Sequence, residues 1–206
     1  MTSGPSLDRR RARHEETAAL IVEEAWKLAE RNGLAGLSLG ELARAVQMRP
    51  QSLYTYFPSK NAIYDRMYRD GFKQLLSHLA TLRGEKAPSN PDGAIEFLAD
   101  AAASFVDFAA ERPSRYQLLF QRTVPGFEPS HESYAVAVQA LETMRTWMQG
   151  AGIAGQRDLD LWRALLLGLA GEQLANDPGG SRWRALAREA ARYFVTFSRS
   201  NKGGQP

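Results

Sequence analysis

The chain has 206 residues and no cysteine, which excludes disulfide scaffolds and thiolate metal sites and leaves room for one or two domains with a sizeable core. An apolar fraction of 44% with 24% charged residues excludes a disordered chain, and no apolar run approaches the roughly 20 residues of a bilayer span. The net charge of +3 is segregated: residues 1–83 carry 13 Lys+Arg against 9 Asp+Glu, and the remainder 13 against 14, so the N-terminal third suits a polyanionic partner.

Alanine (30) and leucine (24) far outnumber valine (7) and isoleucine (4), and this poverty in β-branched residues predicts an all-α fold. Residues 1–12, rich in Gly, Pro, Ser and Arg, are expected as a flexible arm whose arginines could enter a minor groove. A first helix starts at Arg13 and stops at Asn32-Gly33. Ser38 caps a second, reaching Ala45, with Glu41 completing a capping box. Pro50 opens a third, running to Phe57. Ser59 caps a long fourth helix from Lys60 to about Leu82, and residues 83–89 read as a linker. Asn90-Pro91 opens a fifth helix ending near Arg112, and Pro113 a sixth ending near Arg122. Ser130 caps a seventh to Gln149, and the last two run from about Arg157 to Asn176 and Ser181 to Ser198. The expectation is nine helices, with no strand.

Residues 39–57 fit a helix-turn-helix. Leu42, Val46, Met48, Leu53 and Tyr56 fall where two short crossed helices bury apolar side chains, and Ala43 takes the point of closest approach. The turn needs a left-handed residue and holds Gln47, at a cost of about 1 kcal/mol relative to glycine. The second of these helices would enter a major groove.

The strings Ser38-Leu39-Gly40-Glu41-Leu42-Ala43 and Ser52-Leu53-Tyr54-Thr55-Tyr56-Phe57-Pro58-Ser59-Lys60 resemble the DNA-binding domain of the TetR/AcrR family of bacterial transcriptional regulators. The resemblance is strong over about residues 13–65 and lies in helical layout alone beyond 83. It implies a three-helix DNA-binding domain at 13–60, a connecting helix at 61–83, and a helical ligand-binding and dimerisation domain at 84–206. By position, Ser38, Tyr56 and Lys60 would meet the phosphate backbone, while Gln51, Ser52, Tyr54 and Thr55 would face the groove, where Gln suits adenine and the Thr methyl suits thymine. Arg49 would reach a guanine or a phosphate.

In the C-terminal half, Phe105, Phe108, Tyr116, Phe120, Phe127, Tyr134, Met144 and Trp147 form a candidate pocket, with Gln173 among its polar anchors. Ala164, Gly168, Gly171 and Ala175 make a stripe of small residues, and Trp183, Ala187, Ala190, Phe194 and Phe197 repeat at seam spacing. By resemblance these two helices would form a four-helix bundle in a homodimer. The expected function is a cytoplasmic repressor, released from a palindromic double-stranded DNA operator by a small, largely apolar effector, with no cofactor, metal or membrane partner. Two alternatives stand beside it. One is a helical protein-interaction module using the C-terminal tryptophans. The other is a serine hydrolase, since Gly36-Leu37-Ser38-Leu39-Gly40 matches G-x-S-x-G, a motif that works only on a strand-to-helix turn.

Overall fold

The computed structural model describes residues 5–82 and 90–200, and among these residues every regular element is a helix. In chain order they are α1 (Pro5–Asn32), α2 (Leu39–Ala45), α3 (Pro50–Leu53), α4 (Lys60–Thr81), α5 (Pro91–Glu111), α6 (Pro113–Phe120), α7 (His131–Gly150), α8 (Gln156–Asn176) and α9 (Arg182–Ser200). The expected linker at 83–89 lies outside the described residues. No helix among them is long and apolar enough to cross a membrane.

The helix starts are written in the side chains. Ser59, Asn90 and Ser130 accept bonds from the amides of Ala62 (3.1 Å), Gly93 (2.6 Å) and Ser133 (3.2 Å), satisfying donors that no preceding turn can reach. Prolines open α3, α5 and α6, where a missing N–H costs nothing. Gly33, at a φ of 74°, stops α1 after Asn32 as expected. The start of α1 differs from the sequence expectation: residues 5–12 are helical rather than a loose arm. Arg9, Arg10, Arg11 and Ala12 are good helix formers, and Asp8 sits in the first turn, where a carboxylate favours the helix dipole. Helix α3 is shorter than expected: it ends at Leu53, residues 54–56 continue as a turn, and Phe57 before Pro58 is steered away from helical torsions.

One apolar core continues from Ala18 of α1 to Val195 of α9. Its N-terminal part is built by α1, α2, α3 and the first half of α4, around Ile21, Ala25, Leu37, Leu42, Leu53 and Ile63. Tyr64 of α4 donates its hydroxyl to the Leu34 carbonyl at 2.5 Å, tying the connecting helix to the end of α1. In the C-terminal part, α4 lies along α7, while α5 packs against both α8 and α9. Three ion pairs clasp α9 to α5, Arg184 to Asp107 (2.5 Å), Arg188 to Asp100, and Arg192 to Glu96 (2.6 Å). The arginines follow one another by a single turn on α9, their carboxylates by two turns and then one on α5, and together they fix the register of that pair.

Candidate nucleic-acid interface and ligand cavity

The segment between α2 and α3 turns in four residues, Val46 to Arg49. Met48 N–H bonds to the Ala43 carbonyl at 2.8 Å, and Gln47 holds a φ of 54°, the left-handed position expected of it. Leu42 and Ala43 are fully buried and Leu53 nearly so, which seats α3 across α2 by its inner face. The outer face is left to solvent. Gln51, Ser52, Tyr54 and Thr55 are all exposed, Arg49 stands exposed at the start of α3, and Ser38 is exposed at the start of α2.

Ser38 Oγ accepts the Glu41 amide at 3.5 Å, while the Glu41 carboxylate takes a bond from Asn32 Nδ2 at 3.2 Å. Lys60 Nζ donates to the Ala35 carbonyl at 3.3 Å and lies 5.5 Å over the Tyr64 ring, so its charge is held beside the loop that leads into α2. Tyr56 is half-buried and stacks on His14 of α1. His14 was not singled out from the sequence as part of the interface, since no local spacing links α1 to residues this far along the chain. Among the described residues no strand precedes Ser38, and His78 lies 2.7 Å from Ser104.

A cavity of about 190 Å³ opens among α4, α5, α6, α7 and α8. Of the pocket residues expected from sequence, Phe105 and Phe120 line it, and so do Tyr134 and Met144. The others serve the fold. Phe108 is fully buried beside His78, Trp147 meets Phe97 edge-on at 5.0 Å, and the Tyr116 hydroxyl donates to the Leu167 carbonyl at 2.9 Å. Gln173 accepts the Trp183 and Arg184 amides at 3.1 Å each, so it caps α9 rather than anchoring a ligand. Phe72, Tyr68 and Arg163 line the cavity without having been read as pocket residues. Two of them lie on α4, whose apolar stripe reads as ordinary core.

The cavity walls bear directly on the N-terminal helices. On α4, Asp65 accepts bonds from Ser130 N (2.6 Å), Ser130 Oγ (3.0 Å) and Ser133 Oγ (2.8 Å), locking the start of α7. Gly71 lets α6 approach α4 closely, since a Cβ there would stand 3.0 Å from the Leu119 side chain. From α6, Ser114 Oγ bonds to the Ala29 carbonyl at 3.1 Å, and the Arg115 guanidinium lies 4.9 Å from the centre of the Trp26 ring.

The residues expected at a dimer seam divide into two sets. Ala164 and Gly168 are exposed on α8. Gly171, Trp183 and Phe194 instead face their own chain: a Cβ on Gly171 would meet the Tyr116 hydroxyl at 3.7 Å, Trp183 packs against the Val106, Leu169 and Ala187 cluster, and Phe194 lies 5.4 Å from Trp162. Regular spacing on α9 describes its inner face as well as an outer one. The exposed apolar set is Leu161, Leu186, Tyr193 and Phe197, the last two 69% and 64% accessible.

The sequence model of bacterial regulatory proteins of the tetR family matches residues 21–67, from the middle of α1 into α4. The HTH-type transcriptional regulator YobS of Bacillus subtilis is 33% identical over 101 residues, 49% of this chain and 50% of that one, so the match spans about half the length of this curated relative. Among solved structures, a Rhodococcus sp. RHA1 protein of unknown function aligns with a TM-score of 0.72 at 20% identity, over 88% of this chain and 94% of that one. A single-site variant of TetR from Acinetobacter baumannii, in complex with minocycline, aligns with a TM-score of 0.58 at 16% identity, over 89% and 97%. The helix-turn-helix lies inside the matched segment, so residues 21–67 carry the sequence pattern of the tetR family of bacterial regulatory proteins, and the helical layout of the chain is similar to that of these structures.

Proposed function

We propose that the protein is a DNA-binding transcriptional regulator acting in the cytoplasm as a two-fold symmetric homodimer. It represses from a palindromic operator and is released by a small, largely apolar effector. In this reading residues 13–60 bind DNA, 61–83 connect, and 84–206 sense the effector and dimerise. The observation that carries it is the outer face of α3. Gln51, Ser52, Tyr54 and Thr55 stand exposed on a short helix whose inner face is seated by buried Leu42, Ala43 and Leu53. Those side chains offer hydrogen-bond groups and a methyl at the scale of base edges. Ser38, Arg49, Tyr56 and Lys60 flank them, suited to phosphates.

A single α3 covers few base pairs, and a dimer places two copies one helical turn of DNA apart, about 34 to 36 Å. The exposed apolar residues of α8 and α9 supply a surface for such a dimer. An effector in the cavity would act through α4 and α6, which wall it and also touch α1. Packed helices switch between discrete arrangements, and coupling of this kind amounts to roughly 1 to 3 kcal/mol.

The test is selection of bound duplexes from a random pool by the full chain, followed by affinity measurement on the enriched sequence at several salt concentrations. Enrichment of a two-fold symmetric sequence is expected. Absence of duplex binding at low salt overturns the reading, and an enriched sequence without symmetry overturns its dimeric form.

A further inference from the structure

We propose that the cavity takes a compact amphipathic monoanion, its carboxylate pairing with Arg163 and its apolar body lying against Phe72, Phe105 and Phe120. The inference rests on the reading of the cavity as the effector site and specifies the chemistry of that effector. Among the described residues that line it, Arg163 is the only charged one and none carries a carboxylate. A cationic ligand therefore has no partner there and meets a like charge. The Arg163 guanidinium is held loosely, 3.9 Å from Asp160 with its side chain 48% exposed, which leaves donors directed to a ligand where the cavity meets solvent. A guanidinium with open donors suits a planar carboxylate, which it can take with two parallel bonds.

A second, independent observation comes from Tyr68. It lines the cavity at 7% exposure, its phenol a polar group in a wall that is otherwise mostly apolar. Burial also raises its pKa, so it stays a neutral donor. A phenol donor in such a wall suits a ligand carrying acceptor oxygens. The space of about 190 Å³ is below the roughly 300 to 1,000 Å³ of drug-sized sites, which limits the body to about one ring with a short chain.

The test titrates the full chain, without DNA, by calorimetry against para-butylbenzoate, para-butylbenzamide and para-butylbenzylamine. The benzoate is expected to bind about tenfold more tightly than the amide, and the amine most weakly. Arg163→Gln should bring the benzoate down to the level of the amide and leave the amide unchanged, with thermal unfolding confirming that the variant folds. Equal affinity for benzoate and amide, tightest binding of the amine, a preference that survives Arg163→Gln, or no benzoate binding at millimolar concentration would each overturn the proposal. Charge-selective binding that leaves DNA affinity unchanged would instead overturn the effector reading and keep the site.

Discussion

The imidazole of His14 stacks on the ring of Tyr56 with 4.6 Å between centroids and 28° between planes, and its Nε2 lies 3.4 Å from the Thr55 carbonyl. Helix α1 thus holds the end of the α3 turn by one ring face and one backbone group. Tyr56 and Thr55 flank the exposed face of α3, so this contact sets how that face meets DNA.

His14→Ala should therefore weaken binding to the selected duplex about fivefold, since an exposed aromatic pair and a weak hydrogen bond together contribute about 1 kcal/mol. His14→Phe keeps the stack and should recover most of the loss. Fluorescence anisotropy of a labelled duplex measures both. Wild-type affinity in His14→Ala would mean that α3 holds its position without α1.

Tyr64 gives a prediction in pH. Burial pushes its phenol up from 10.0 to about 12, so between those values the unfolded chain releases a proton that the folded chain keeps. A folded pKa raised in this way leaves stability intact below pH 10, lost progressively as pH rises toward 12. The full linkage is about 2 to 3 kcal/mol. Tyr64→Phe loses the bond to Leu34, at about 1 kcal/mol near neutral pH, but should lack this alkaline decline. Denaturant unfolding of both proteins from about pH 8 to 11.5 tests it, and parallel curves would place the alkaline loss elsewhere.

What the sequence made legible follows from the range of the interactions. Ser59, Asn90 and Ser130 cap within three residues, and the Gln47 turn is fixed by its neighbours, so local reading found them. The contacts that build the cavity and the interface join distant segments. Gln173, expected as a polar anchor of the pocket, caps the helix that follows its own, and Arg163 lines the cavity with nothing in its local spacing to mark it. Spacing on α9 identified a repeating apolar pattern but not which of its two faces looks outward. That depends on α5, whose Asp107, Asp100 and Glu96 fix the rotation of α9 through its arginines.

Phosphate and base contacts should separate in their salt dependence. Lys60 is proposed to meet a phosphate, and Lys60→Ala should weaken selected and random duplexes alike, flattening the slope of log affinity against log salt by about 0.9. Gln51→Ala should weaken the selected duplex alone, by roughly 1 to 3 kcal/mol if it bonds an adenine. Salt titrations on both duplexes distinguish the two roles, and equal losses from both variants on both duplexes would refute the assignment.

The last prediction concerns the outer face of α8 and α9. In a two-fold interface each residue near the axis approaches its own copy or a close neighbour of it, so a charge placed there is repelled by its symmetry mate. Phe197 is 64% exposed within one chain, and Phe197→Glu should cost the isolated subunit little, within about 0.5 kcal/mol. It should nevertheless shift a micromolar sample from dimer to monomer in analytical ultracentrifugation. Phe194→Ala offers the opposite contrast: its ring packs on Trp162, so truncation should lower unfolding stability by roughly 2 kcal/mol, less than for a fully buried phenylalanine. Association should change less in Phe194→Ala than in Phe197→Glu. If Phe197→Glu stays dimeric while Phe194→Ala dissociates, the face turned toward a partner is the one that carries Phe194, and α9 is rotated in the assembled protein.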